Sequence, residues 1–132
     1  MNYRVTLSNY KEDGYYPKVV RVVDKILENY RTVRTVDVFR GIGVVDEEKY
    51  KKWKMGQVKC FEFVIGCNLS KANRIMSILG FYAHDLNMGK SHNFVKRKGN
   101  VLRYSKYGSK KVEELYARQF NVIEKGANKR SQ

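Results

Sequence analysis

Acidic side chains nearly vanish from the second half of this chain. Asp85 is the only acid between positions 63 and 112. Residues 90–111, KSHNFVKRKGNVLRYSKYGSKK, hold eight Lys or Arg and no Asp or Glu. Without paired carboxylates to hold divalent cations, two-metal nuclease chemistry is not expected. Histidine is scarce as well, with His84 and His92 alone. His92 with Lys90 and Tyr104 is the one acid/base grouping that can be drawn, for a metal-independent nuclease. Surface or hydrogen-bonded structural histidines are the simpler reading. There are two cysteines, Cys60 and Cys67, seven apart. No second pair or histidine cluster completes a zinc site, so no metal or other cofactor is expected. The cysteines read as small residues on one helical face, in a reducing compartment. No run approaches 18 apolar residues, so no membrane span is expected. The opening MNYRVTLSNYKEDG has no apolar h-region and predicts no signal peptide. A soluble, cytoplasmic protein is the expectation. Phosphate-loop, dinucleotide and nucleophile-elbow signatures (GxxxxGK[ST], GxGxxG, GxSxG) are all missing. The chain therefore reads as a binder and not an enzyme.

What is present is positive charge. The formal net charge is +14 over 132 residues, with a sequence pI near 9.8. Residues 1–66 carry 13 basic and 9 acidic side chains; residues 67–132 carry 14 and 4. Such an excess concentrates polyanions near the surface and points to nucleic acid or an anionic surface as partner. The length fits one domain that buries enough apolar surface to fold without disulfides or metal.

Periodicity predicts a mainly α (α+β) fold. Residues 1–16 read as an N-terminal arm, either strand-like (Tyr3, Val5 and Leu7 alternating with Arg4 and Thr6) or a disordered lead-in. Pro17, the only proline, suits a first helical position. Val19, Val22, Val23, Ile26, Leu27 and Tyr30 then predict a helix over 17–31. Thr35 is a cap for a short helix to about Arg40, ended by the turn Gly41-Ile42-Gly43. Asp46 is an N-cap for the next, with Glu47 and Glu48 in its first turn and Gly56 as a left-handed stop. This pair reads as a helix-turn-helix, with Lys49, Lys51, Lys52 and Lys54 on its second helix, or as plain bundle packing. The acidic first turn favours packing. Phe61, Ile65, Leu69, Ala72, Met76, Leu79, Ala83 and Leu86 form one apolar seam. It lies on one long helix, or on two joined near Gly66 with Asn68 as a cap. After Gly89 the period changes. Phe94–Arg97 and Val101–Tyr104 read as strands around Lys98-Gly99-Asn100, a hairpin at about 93–105. Ser109 starts a last helix, with Val112, Leu115, Tyr116, Gln119, Phe120 and Ile123 inward and Gly126 as its end. The expected domain spans 17–126, and 127–132 is a polar tail.

The basic hairpin is the strongest functional signal. Lys and Arg neutralise phosphates and release counterions, which gives salt-sensitive, sequence-tolerant affinity. Alternation puts Lys96 and Arg97 on opposite faces of the ribbon, while Lys98 at the turn reaches outward like a wing. Expected phosphate contacts are Lys96, Arg97, Lys98 and Arg103. Lys106, Lys110 and Lys111 extend the surface at the start of the last helix. Tyr104 and Tyr107 are candidates to stack on exposed bases. In the stretch NLSKANR, Lys71 and Arg74 are secondary candidates. The competing explanation is a charged hairpin that only keeps the chain soluble.

Three segments resemble a pattern found in small uncharacterised bacterial proteins: Trp53-Lys54-Met55-Gly56-Gln57-Val58, Asn68-Leu69-Ser70-Lys71 and Arg103-Tyr104-Ser105-Lys106-Tyr107-Gly108. There they read W-[KR]-x-G-x-V, N-L-x-[KR] and R-[FY]-S-K-x-G, in that order. The resemblance covers roughly residues 20–120, leaves out the arm, and supplies no catalytic residues. It implies a recurring domain in which the basic hairpin and the RYSKYG segment belong together. The expected function is non-catalytic binding of DNA or RNA. A second reading is a small phage or mobile-element inhibitor that docks on a nucleic-acid-processing protein or its RNA. Ten tyrosines on so small a domain also suit a homodimer.

Overall fold

Pro17 lies in the first turn of helix α1, Tyr16–Leu27, as its missing N–H and fixed φ favour. The computed structural model describes residues 4–123. Val19, Val22 and Val23 are the buried face of α1. The helix ends four residues short of the expected 31, because the chain turns into strand β1, Thr32–Arg34. Helix α2, Thr35–Ile42, follows with no loop between. Thr35 does not cap it. The hydroxyl donates instead to the Arg118 carbonyl oxygen at 2.8 Å. Gly43, at φ +92, is the left-handed stop of α2. Gly41 is inside the helix, where a β-carbon would come within 2.5 Å of Val22 Cγ1, so α1 and α2 cross there in close contact. Asp46 caps α3, Glu47–Lys54, by accepting from Lys49 N–H at 3.1 Å. Gly56, at φ +76, follows its end.

The apolar seam starts later than its period suggests. Phe61–Phe63 is a single 3-10 turn, and Val45 and Ile65 form an isolated β-bridge. Asn68 then caps α4, Leu69–Asp85, accepting from Lys71 N–H at 2.8 Å. The break near Gly66 is real, but what precedes it is not a helix. Cys60 and Cys67 therefore share no helical face; Cys60 is buried and Cys67 half-buried. Ala72, Ile75, Met76, Ile78, Leu79 and Ala83 are the buried side of α4, while Leu69 and Leu86 at its ends are exposed.

Strand β2, Gly89–His92, leads to the hairpin β3, Lys96–Arg97, and β4, Asn100–Val101. Helix α5, Lys110–Ala117, is the last described helix. Ser109 occupies its N-cap position without a side-chain hydrogen bond. The expected helix to Gly126 stops early, because Arg118–Asn121 form strand β5. β5 is the centre of an antiparallel sheet in the order β1-β5-β2, pairing Val33 with Phe120 and Lys90 with Phe120. Two flanking ladders satisfy both edges of β5, and Phe120 stays buried as the helical period required. Gly126 and the 127–132 tail lie outside the described residues.

Among the described residues the fold is α+β. Its centre is aromatic: Phe61 lies 5.2–6.2 Å, centroid to centroid, from Phe39, Trp53, Tyr104 and Tyr116. Residues 4–16 are not a detached arm. Tyr10 is 2% exposed, packs on Tyr16 and Phe81, and donates its hydroxyl to Asp85. The buried Asp13 carboxylate accepts two 2.9 Å bonds from Arg74. Tyr3, part of the expected alternation, lies outside the described residues. No described helix is long and apolar enough to cross a membrane.

Candidate nucleic-acid interface

The hairpin turns on two residues, not three. Asn100 pairs with Arg97 and Val101 with Lys96, leaving Lys98 and Gly99 as the loop. Both have positive φ, +53 and +84, which is the pattern of a type I′ turn. Leu102 N–H bonds the Val95 carbonyl at 2.8 Å and extends the ladder beyond the short strands. Lys96 and Lys98 are exposed. Arg97 points the other way, as alternation requires. Its Cδ would lie 3.5 Å from a β-carbon at Gly56, so the side chain packs on the end of α3. Arg97 is half-buried, on the face of the ribbon opposite Lys96.

The RYSKYG segment is a loop braced from inside. Glu113 of α5 accepts from the Tyr104 and Ser105 backbone N–H groups, at 2.8 and 2.6 Å, and from the Ser105 hydroxyl. Ser105 Oγ in turn accepts from Gly108 N–H at 2.9 Å. Glu62 accepts from Lys106 N–H at 2.6 Å and from the Tyr116 hydroxyl at 3.0 Å. Both oxygens of both carboxylates are thereby committed to internal bonds. Glu62 and Glu113 keep their charge but spend their oxygens on neutral N–H and O–H donors, with no ion pair to a lysine among the described residues. Arg103 folds back, donating to the Ser105 and Lys106 carbonyl oxygens at 3.2 and 2.6 Å. Gly108, at φ +71, allows this closure; a β-carbon there would meet Arg103 Nη2 at 3.2 Å. Arg103 thus clamps the loop through Nη2, while the residue itself stays exposed.

Tyr104 is corrected outright. It is 1% exposed and stacks on Tyr116 with the rings 6.0 Å apart and 8° from parallel, so no ring face is open to a base. Burial pushes its hydroxyl up to about 12. The hydroxyl is also tied to the Asn93 carbonyl and Val95 N–H, so it supplies no acid/base group near neutral pH. His92 instead stacks on Phe94. Tyr107 is the opposite case. It is 84% exposed at the tip of the braced loop, with Lys106 Nζ 5.6 Å from its ring centre. Lys106, Lys110 and Lys111 are exposed beside it.

Of the secondary candidates, Lys71 is exposed in the first turn of α4, while Arg74 is held by Asp13. The helix pair α2–α3 is tied by Arg40 to Glu47 at 2.9 Å. The end of α3 meets the hairpin through Gly56 and the RYSKYG loop through Trp53, whose indole N–H donates to the Arg103 carbonyl. That contact brings the exposed Lys51, Lys52 and Lys54 of α3 to the border of the same surface. Periodicity assigns these lysines to α3 but carries no sign of their neighbours, which lie about 50 positions away. No protein-family model matches the chain, nor does any curated protein or solved structure.

Proposed function

We propose that this chain is a nucleic-acid-binding protein without catalysis of its own, acting in the cytoplasm. Lys96, Lys98, Lys106, Lys110 and Lys111 contact phosphates, and Tyr107 stacks on an unpaired base. The observation that supports this reading most is Tyr107 itself. A nearly fully exposed tyrosine on a loop fixed by two inward carboxylates is costly to leave in water and rigid enough to serve as a platform. Rigidity limits the entropy lost on binding. The surrounding lysines provide the sequence-tolerant attraction, and stacking directs it to single-stranded segments.

The test is fluorescence anisotropy with labelled single- and double-stranded DNA and RNA over a salt series. Replacing Lys96, Lys98 and Lys106 with Glu should flatten the log–log salt slope by about 0.7–0.9 per lost contact. Tyr107→Ala should weaken single-strand binding by about 1–3 kcal/mol with little effect on the slope. No binding near physiological salt, or affinities unchanged in both variants, would refute the reading. A pulldown that captured a nucleic-acid-processing enzyme by this face would then support the inhibitor reading.

A further inference from the structure

Among the described residues, Arg118 has no counterion. It leads β5 and faces the same side of the sheet as Phe120, across the ladder from His92 and beside Lys90. Its Nε is buried and unbonded, and its guanidinium makes no hydrogen bond or ion pair with any other described residue. Burial alone holds its pKa below the usual arginine value. Arg118 is half-buried, and taking part of a guanidinium out of water without a bonding partner is unfavourable. Opposite the guanidinium α4 carries Gly80, where a β-carbon would stand 3.4 Å from Arg118 Nη1, an ordinary contact distance. Arg118 and Gly80 thus face each other in one place.

That place is a groove of about 850 Å³ between α4, the sheet and residues 4–7. Arg4 and Lys90 join Arg118 along it, and no acidic side chain among the described residues lines it. Arg74 reaches it too, but is bonded to Asp13. On the α4 wall, Ser70, Asn73, Ser77 and His84 follow steps of three, four and seven residues, which keeps them on one side of the helix. Phe81, Met76 and Met88 supply apolar surface. The volume is that of an ordinary small-molecule site.

We propose that this groove binds a small phosphate-bearing molecule of the nucleoside monophosphate class. The phosphate meets the Arg118 guanidinium, for which paired N–H donors are suited. Lys90 and Arg4 add charge at the rim. The base lies against the apolar wall, and the serine and asparagine stripe offers partners to the sugar hydroxyls. That polar stripe argues against a fatty acid, whose tail would leave it unsatisfied. The site shares no residue with the hairpin and RYSKYG surface, so each stands or falls alone.

The experiment is isothermal titration of the full chain with the four nucleoside monophosphates, the matching nucleosides, inorganic phosphate, and a short oligonucleotide with and without a terminal phosphate. At least one monophosphate should bind, and its nucleoside should bind about tenfold or more weakly. Tighter binding of the oligonucleotide with a terminal phosphate than both of the same oligonucleotide without it and of any free nucleotide would overturn the free-nucleotide assignment in favour of a strand end. Arg118→Met should lower affinity about tenfold or more while thermal stability holds or rises, since a half-buried cation with no partner among the described residues is removed. A merely structural arginine would do the reverse. Should Arg118→Met not fold, Lys90→Gln on the exposed rim should still weaken binding, and the variant with Lys96 and Lys98 changed to Glu should not. No binding by any monophosphate, equal binding by inorganic phosphate, or full affinity in Arg118→Met or Lys90→Gln would overturn the proposal.

Discussion

The Trp53 indole N–H donates to the Arg103 carbonyl oxygen at 2.8 Å, and the Phe61 backbone N–H donates to the same oxygen at 3.0 Å. One acceptor, with both lone pairs used, joins α3 and the 3-10 turn to the strand leaving the hairpin. The indole ring also packs 5.4 Å from Tyr104. The loop that carries Tyr107 therefore hangs from the buried core and not from its own short strands.

Trp53→Phe keeps an aromatic ring there but removes the donor and some volume. It should destabilise the fold by about 1.5–3 kcal/mol. Urea unfolding measures the loss. Amide exchange at residues 104–108 should quicken more than at α1, because the missing bond lies next to that loop.

Lys98 has a local cost and a proposed use. At φ +53 a lysine is strained, and asparagine is the preferred residue at this place in a type I′ turn. Lys98→Asn should raise stability by roughly 0.5–1 kcal/mol. The same change should lower nucleic-acid affinity and flatten the salt slope by about one contact. A more stable variant with weaker binding would separate the two roles; unchanged affinity would take Lys98 out of the interface.

Alkaline pH should unfold the protein through its buried tyrosines. Burial raises Tyr104 to about 12, and burial followed by the Asp85 hydrogen bond raises Tyr10 to about 12. Tyr116 is raised too, by burial and then by Glu62. In the unfolded chain tyrosine ionises near pH 10, so the folded state holds the proton longer. The stability from the neutral hydroxyls is complete below about pH 10 and falls as pH rises toward about 12. For Tyr104 alone the loss is on the order of 2 kcal/mol. Urea midpoints across this window, read beside phenolate absorbance, measure it. Tyr104→Phe should shrink the dependence.

The elements that were legible in the sequence are those governed by neighbours a few positions away. Asp46 and Asn68 cap the helices they precede, because a cap bonds an N–H three residues on. Gly43 and Gly56 adopt positive φ next to helix ends. The hairpin around Lys98-Gly99 could be read from its strands, though its loop is one residue shorter than the spacing suggested. The charge imbalance belongs to composition and needed no fold.

Tertiary structure decided what each charge and ring does. Arg118–Asn121 continues a helical period, yet forms a strand because β1 and β2, distant in sequence, pair on both its sides. Tyr104 and Tyr107 are three apart in one motif, and only packing against Trp53, Phe61 and Tyr116 makes one core and the other surface. Arg74 was indistinguishable from Lys71 until Asp13, 61 positions away, took its guanidinium. Arg103 turned inward onto carbonyls that its own chain brought round. Local hydrogen-bonding rules act over three or four residues, whereas burial and ion pairing depend on partners that come near only when the chain is folded.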